Sequence, residues 1–168
     1  MSPPGHRRGG CPNAAPGSGR FERRQRIRFS HCDPAGIVFY PQYFVLFNGL
    51  VEDWVSDGLG VSYVRLVVER RIGLPTVSLQ TEFRAVSRMG DEVSLVLQVE
   101  RLGARSLTLA LACDGDDGRR AEVRQVVVCT SLQTHRSQPF PPDLRAAIER
   151  FQDAAAATGG ETTRNPVV

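Results

Sequence analysis

Residues 41–55 carry more apolar surface than one face of a helix can hide, and this limits what the chain can fold into. Pro41 suits the first turn of a helix, and Tyr43, Phe47, Leu50, Val51, Trp54 and Val55 then recur at the spacing of one helical face. Phe44, Val45 and Leu46 widen the apolar surface beyond that stripe, so the helix needs protein on more than one side. Gly58 and Gly60 end it. The segment reads as a central helix that other structure must wrap.

The chain then supplies the wrapping. Residues 62–73 read as a short helix and loop, after which four strand-like runs are separated by turn signals. Val77, Leu79, Thr81, Phe83 and Ala85 share one face of the first run. Val93, Leu95, Leu97 and Val99 do so on the second, and Leu107, Leu109, Leu111 and Cys113 on the third. Residues 114–118 form a hairpin loop of Asp and Gly, and residues 123–132 make the fourth run. One more strand precedes the helix: residues 21–31 alternate charged residues with Ile27 and Phe29 until Pro34 and Gly36 break the pattern. A last helix is expected over residues 143–152 with Asp143 as N-cap. This order predicts an α+β unit, an antiparallel sheet of about five strands wrapped around one long central helix.

At 168 residues the chain suits one domain, assigned to residues 21–153. Residues 1–20 and 154–168 are rich in small, polar, Gly and Pro residues without apolar periodicity and are expected to be disordered tails. No apolar run is long enough for a transmembrane span, and the first twenty residues lack the apolar core of a secretory signal. A cytoplasmic location is the default expectation. All 21 basic residues are Arg. Residues 1–24 hold five of them against one Glu, which leaves the remainder at a net charge of −1. A body near neutrality lacks the positive field that nucleic acid requires, although local Arg residues suffice for a phosphorylated small ligand. Cys11, Cys32, Cys113 and Cys129 form no C-x-x-C pair, so neither zinc nor disulfides are expected. His6 and His135 stand alone, which leaves a metal site short of ligands.

The most unusual chemistry lies in residues 26–44, where Asp33 occupies a Pro/Gly loop directly ahead of the apolar helix. One reading makes Asp33 a turn residue or helix cap. The other pairs its carboxylate with the free N–H groups of the helix first turn, which can hold a developing negative charge. Such a pair suits acyl transfer: the carboxylate attacks a carbonyl or activates water while backbone donors hold the oxyanion. Spacing does not distinguish these roles. The adjacent His31, Cys32 and Asp33 do not make a Cys–His nucleophile, because successive residues near a strand end project to opposite faces.

The run D-P-A-G-I-V-F-Y-P-x-Y-F at residues 33–44 resembles the hotdog-fold thioesterases of the 4-hydroxybenzoyl-CoA type, and VVERRIGLPTVS at residues 67–78 extends the likeness. Together they cover roughly residues 24–132. The resemblance implies a hotdog fold and metal-free hydrolysis of an acyl-CoA thioester, with no cofactor apart from the coenzyme A of the substrate. Asp33 would be nucleophile or general base and the Tyr40 backbone N–H the oxyanion donor. Relatives acting on short-chain acyl-CoA carry His directly after the tyrosine, and the Pro41 found here favours the aromatic-acyl branch. Where the family has a helix acid for the substrate hydroxyl this chain has Asn48, and where it has tryptophan before the tyrosine this chain has Phe39. The acyl group is therefore expected to lack that hydroxyl or to carry it elsewhere. Arg105 matches one family position that holds coenzyme A phosphate, whereas the basic pair before it is replaced by Gly103 and Ala104. A homo-oligomer, dimer or tetramer, is implied. Two rivals are a short-chain acyl-CoA thioesterase of the same fold and a noncatalytic acyl-binding hotdog module.

Overall fold

The structure, a computed structural model, describes residues 19–158. Its elements run β1 (Arg20–Arg26), α1 (Pro41–Asp53), β2 (Ile72–Gly73), β3 (Thr76–Phe83), β4 (Glu92–Leu102), β5 (Ser106–Gly115), β6 (Gly118–Val128), β7 (Thr130–Ser131) and α2 (Pro142–Thr158). Five strands form one antiparallel sheet in the order β1-β4-β5-β6-β3, and β2 pairs with β7 alongside. The α+β arrangement expected from the sequence is the one observed.

The helix buries Tyr43, Phe47, Leu50, Val51, Trp54 and Val55, the six residues of the predicted stripe. They join Val93, Leu95 and Leu97 of β4 and Leu107, Leu109, Leu111 and Cys113 of β5 in one core. Each such large side chain contributes about 1.5–3 kcal/mol when fully buried. Beyond Asp53 the coil widens to a π-type turn, in which the Leu59 N–H donates to the Trp54 carbonyl. Gly58 sits in this turn against two rings. A Cβ there would lie 2.8 Å from the Trp54 indole and 3.0 Å from Phe21.

Several local expectations are corrected. The first strand ends at Arg26; Ile27 is buried and exchanges hydrogen bonds with Asp91 and Gly90, after which a 3-10 turn at Phe29–His31 carries Phe29 into solvent. The alternation fails there because the partner segment turns at residues 88–91. The face shared by Val77, Leu79 and Phe83 is exposed, since β3 is the sheet edge beyond β6 while α1 packs over β4. Val45 on the flank of α1 is exposed as well. The fourth run splits: β6 starts at Gly118, and Thr130–Ser131 pairs with β2 instead of prolonging β6. Finally, α2 begins at Pro142, so Asp143 lies in its first turn and does not cap it; its carboxylate takes a bidentate pair of bonds from Arg70 at 2.7 and 2.8 Å. This helix passes residue 153 and ends at Thr158.

Most of the two expected tails, with His6 and Cys11, lies outside the described residues. Among the described residues no helix is long and apolar enough to cross a membrane.

Candidate active site

Between β1 and α1 the chain folds into a small hairpin. Cys32 bridges Val38, the Asp33 N–H donates to the Ile37 carbonyl at 3.0 Å, and the Gly36 N–H donates to the Asp33 carbonyl at 2.9 Å. Pro34 presets the turn, and Gly36 closes it at a φ of +75°, a conformation that favours glycine. The Asp33 side chain completes the turn, accepting the Ala35 N–H on Oδ1 at 2.8 Å. Its Oδ2 has no protein partner among the described residues. The turn reading and the catalytic reading of Asp33 are thus compatible. The cap reading is not: α1 starts at Pro41 with Tyr40 at the N-cap, and no side chain caps it.

The hairpin lies on residues 86–91. The Val38 N–H donates to the Ser87 carbonyl at 2.9 Å, and the Met89 N–H donates to the Gly36 carbonyl at 3.1 Å. From there the amides leading into α1 can be followed in order. Phe39 donates to the His31 carbonyl, Gln42 to the Phe39 carbonyl and Tyr43 to the Tyr40 carbonyl, while Pro41 has no N–H. Within residues 38–43, only the Tyr40 N–H is left without an acceptor among the described residues. It stands where the helix dipole is positive.

Neighbouring groups are held neutral. Burial, and then the Arg28 charge, keep His31 below its ordinary imidazole value, and its Nδ1 accepts the Arg28 N–H at 3.1 Å. Burial chiefly, and then Asp33 and Asp91, push the Cys32 thiol up. Neither residue is therefore activated as a nucleophile or base pair. Among the described residues no three His, Cys, Asp or Glu side chains are grouped so that they could hold a metal ion.

The sequence-predicted residues divide into three places. Phe39 and Tyr40 are exposed at the start of α1, where the Tyr40 ring meets Phe39, Phe44 and Phe83 edge-on at 5.4, 6.5 and 6.2 Å. A cavity of about 310 Å³ opens beside them, lined by Val38, Tyr43, Phe83 and Val86. Asn48 lies in a second cavity of about 370 Å³, with Phe44, Phe47, Leu79 and Gln125. Arg105 is in neither: it occupies the exposed turn between β4 and β5. The Asp33 hairpin follows β1 beside Glu92, so the length of β4, about 35 Å at ~3.3 Å per residue, separates the two within one chain.

Sequence reasoning missed the buried polar residues near these cavities. Gln125 is 7% exposed and donates Nε2 to Thr76 Oγ1 at 2.6 Å. Ser87 is fully buried and accepts the Tyr43 hydroxyl at 2.9 Å. Gln125 interrupts the buried alternation of Ala121, Val123 and Val127 along β6, a signal that was available. Ser87 has no comparable local mark.

A sequence profile of the Thioesterase-like superfamily matches residues 27–148. The chain belongs to this superfamily. It is 23% identical over 134 residues to a 1,4-dihydroxy-2-naphthoyl-CoA hydrolase of Synechococcus elongatus, covering 79% of this chain and 93% of the relative. A 4-hydroxybenzoyl-CoA thioesterase of Pseudomonas is 35% identical over 74 residues, or 43% of this chain and 52% of that one. The crystal structure of a 1,4-dihydroxy-2-naphthoyl-CoA thioesterase from Synechocystis superposes with a TM-score of 0.70 at 21% identity, covering 77% of this chain and 98% of the other. The five-stranded sheet with α1 packed on it is the hotdog fold of this thioesterase.

Proposed function

We propose that this thioesterase hydrolyses aromatic acyl-CoA esters to the free acid and coenzyme A, with Asp33 as the reacting carboxylate and the Tyr40 N–H as oxyanion donor. The observation that carries this reading is the unpaired Tyr40 amide at the α1 N-terminus, in the same short segment as a carboxylate with one free oxygen. A backbone donor fixed at a helix start needs no reorganisation when charge develops on the thioester oxygen.

Two routes balance. In the first, Asp33 attacks the thioester carbonyl and expels the coenzyme A thiolate, leaving a mixed anhydride that water cleaves to the acid and the regenerated carboxylate. In the second, Asp33 takes a proton from water as that water attacks the carbonyl, and the proton passes to the departing thiolate. Both pass through an oxyanion at the Tyr40 N–H.

The aromatic preference is supported by the cluster of Phe39, Tyr40, Phe44 and Phe83 beside the two cavities, and by relatives whose names specify naphthoyl and benzoyl esters. Phe39 and Asn48 contact the acyl group in this reading. Arg105 holds coenzyme A phosphate from a second copy of the chain, since its own Asp33 is too distant.

A thiol-release panel tests the proposal. Benzoyl- and 4-hydroxybenzoyl-CoA should exceed acetyl- and butyryl-CoA in kcat/KM by at least about tenfold. The reverse order would assign a short-chain thioesterase, and binding without thiol release a noncatalytic module.

A further inference from the structure

Tyr43 and Ser87 hydrogen-bond to neither Asp33 nor the Tyr40 N–H, yet Ser87 holds the chain on both sides of Tyr40. Ser87 lies between Val86 and Arg88 on the segment that supports the hairpin, with none of its surface exposed. Its carbonyl accepts the Val38 N–H at 2.9 Å, two residues before Tyr40. Its hydroxyl oxygen accepts the Tyr43 O–H at 2.9 Å, three residues after Tyr40 and one turn into α1.

The support is itself anchored to the sheet. Arg120 of β6 donates Nη1 to the Val86 carbonyl at 2.7 Å, and its own carbonyl accepts the Arg84 and Ala85 amides at 2.8 and 3.2 Å. The Cys113 thiol of β5 lies beside Ser87 in the core, where it stays protonated. A hydroxyl pair adds nothing to packing that a Phe and an Ala would lack. It does add direction, because a hydrogen bond weakens steeply off axis whereas apolar contact does not. Here the bond links the first turn of α1, whose rotation the buried stripe already sets, to the segment under the hairpin.

We propose that Ser87 is a positioning residue: its carbonyl holds the hairpin that carries Asp33, its hydroxyl holds the α1 turn that carries the Tyr40 N–H, and Tyr43 is the side chain through which it grips the helix. The inference rests on the reading that Asp33 and the Tyr40 N–H act together. A loss of spacing between them would slow the chemical step while leaving the acyl and coenzyme A contacts in place.

The test compares Tyr43→Phe, Ser87→Ala and the double variant with the wild type and Asp33→Asn on benzoyl-CoA, and follows amide hydrogen exchange over residues 33–40. Tyr43→Phe keeps the ring that packs on Phe83 and so preserves the fold even if Ser87→Ala does not. Each single variant should lose about tenfold in kcat with KM within about twofold. The double variant should lose no more than the worse single one, because both remove the same bond. Exchange over residues 33–40 should accelerate in both. Unchanged kcat or unchanged exchange in Tyr43→Phe overturns the proposal while the wild-type activity stands. No thiol release by the wild type overturns the functional reading itself, and the proposal with it.

Discussion

Asp33 and Arg105 stand at opposite ends of β4. The hairpin of Asp33 adjoins Glu92 at the start of the strand, and Arg105 follows Leu102 at its end. The edge strand β3 spans the same two ends, from Thr76 beside Val127 near Arg105 to Phe83 beside Ala121 near Asp33. Two copies joined antiparallel along β3 bring the Arg105 end of one to the Asp33 end of the other.

That geometry predicts at least a dimer. The apolar side chains of Val77, Leu79 and Phe83 on β3 and of Val45 on α1 are exposed in the single chain, and an open, apolar strand edge invites pairing. Light scattering at micromolar concentration should give twice the chain mass or more. A fully active monomer would contradict the arrangement and return Arg105 to the solvated surface.

Asp33→Asn should retain the fold and acyl-CoA binding, because the Asn side-chain oxygen can still accept the Ala35 N–H. It should lower kcat by at least roughly a hundredfold, the scale of losing a positioned catalytic group. Retained turnover would remove Asp33 from the chemistry. Single turnover in labelled water adds to this: label in Asp33 marks the anhydride, since a general base takes up no solvent oxygen, and label only in the product places the attack of water at the acyl carbonyl.

The buried stripe of α1 was legible in the sequence residue by residue, since a helix on one sheet obeys a single period. The exposure of Val77, Leu79 and Phe83 was not, because it depends on how far a helix distant in sequence extends across the sheet. The Asp33 turn and the Tyr40 donor were legible as a motif. That Tyr40 alone in its segment keeps a free N–H required the hydrogen-bond partners of its neighbours. Ser87 escaped notice because Tyr43 is distant in sequence, and the separation of Arg105 from Asp33 follows only from strand order.

Gly58 is fixed by close approach and not by backbone conformation. Gly58→Ala places a methyl against Trp54 and Phe21, both buried, and overpacking of this kind costs about 1–3 kcal/mol. Urea unfolding should show a loss in that range. A loss under about 0.5 kcal/mol would mean that the two rings yield freely.

The Arg70–Asp143 pair joins the segment before β2 to α2. The hydrogen bonds from Arg70, ahead of its charge, hold the Asp143 carboxyl below the usual carboxylate value. A lowered folded value stabilises the ionised native state, so the contribution is present above the unfolded value of about 3.9 and is lost as pH falls through the folded one. Both side chains are partly exposed, which limits the gain to about 1 kcal/mol or less after screening. Asp143→Asn should therefore be less stable than wild type at pH 7, and the two unfolding curves should converge in acid. A difference that persists at pH 2 would assign the effect to packing.

In the proposed function Asn48 faces the acyl group, which makes it the residue to test for preference among aromatic esters. It stands two turns after Tyr40 in the cavity that also holds Gln125 and Leu79. An amide donates and accepts but carries no charge, so it holds a phenolic hydroxyl less strongly than a carboxylate does. One neutral hydrogen bond contributes about 0.5–1.5 kcal/mol, and benzoyl- and phenylacetyl-type esters should fall within about tenfold of the 4-hydroxybenzoyl ester in kcat/KM. Asn48→Asp should move the ratio toward the hydroxylated ester, because a carboxylate accepts the phenolic proton more strongly. Measuring kcat/KM for benzoyl- and 4-hydroxybenzoyl-CoA in both proteins checks this. An unchanged ratio would remove Asn48 from the acyl pocket and leave the cavity selective through Phe44, Phe47 and Gln125, with the roles of Asp33 and Tyr40 untouched.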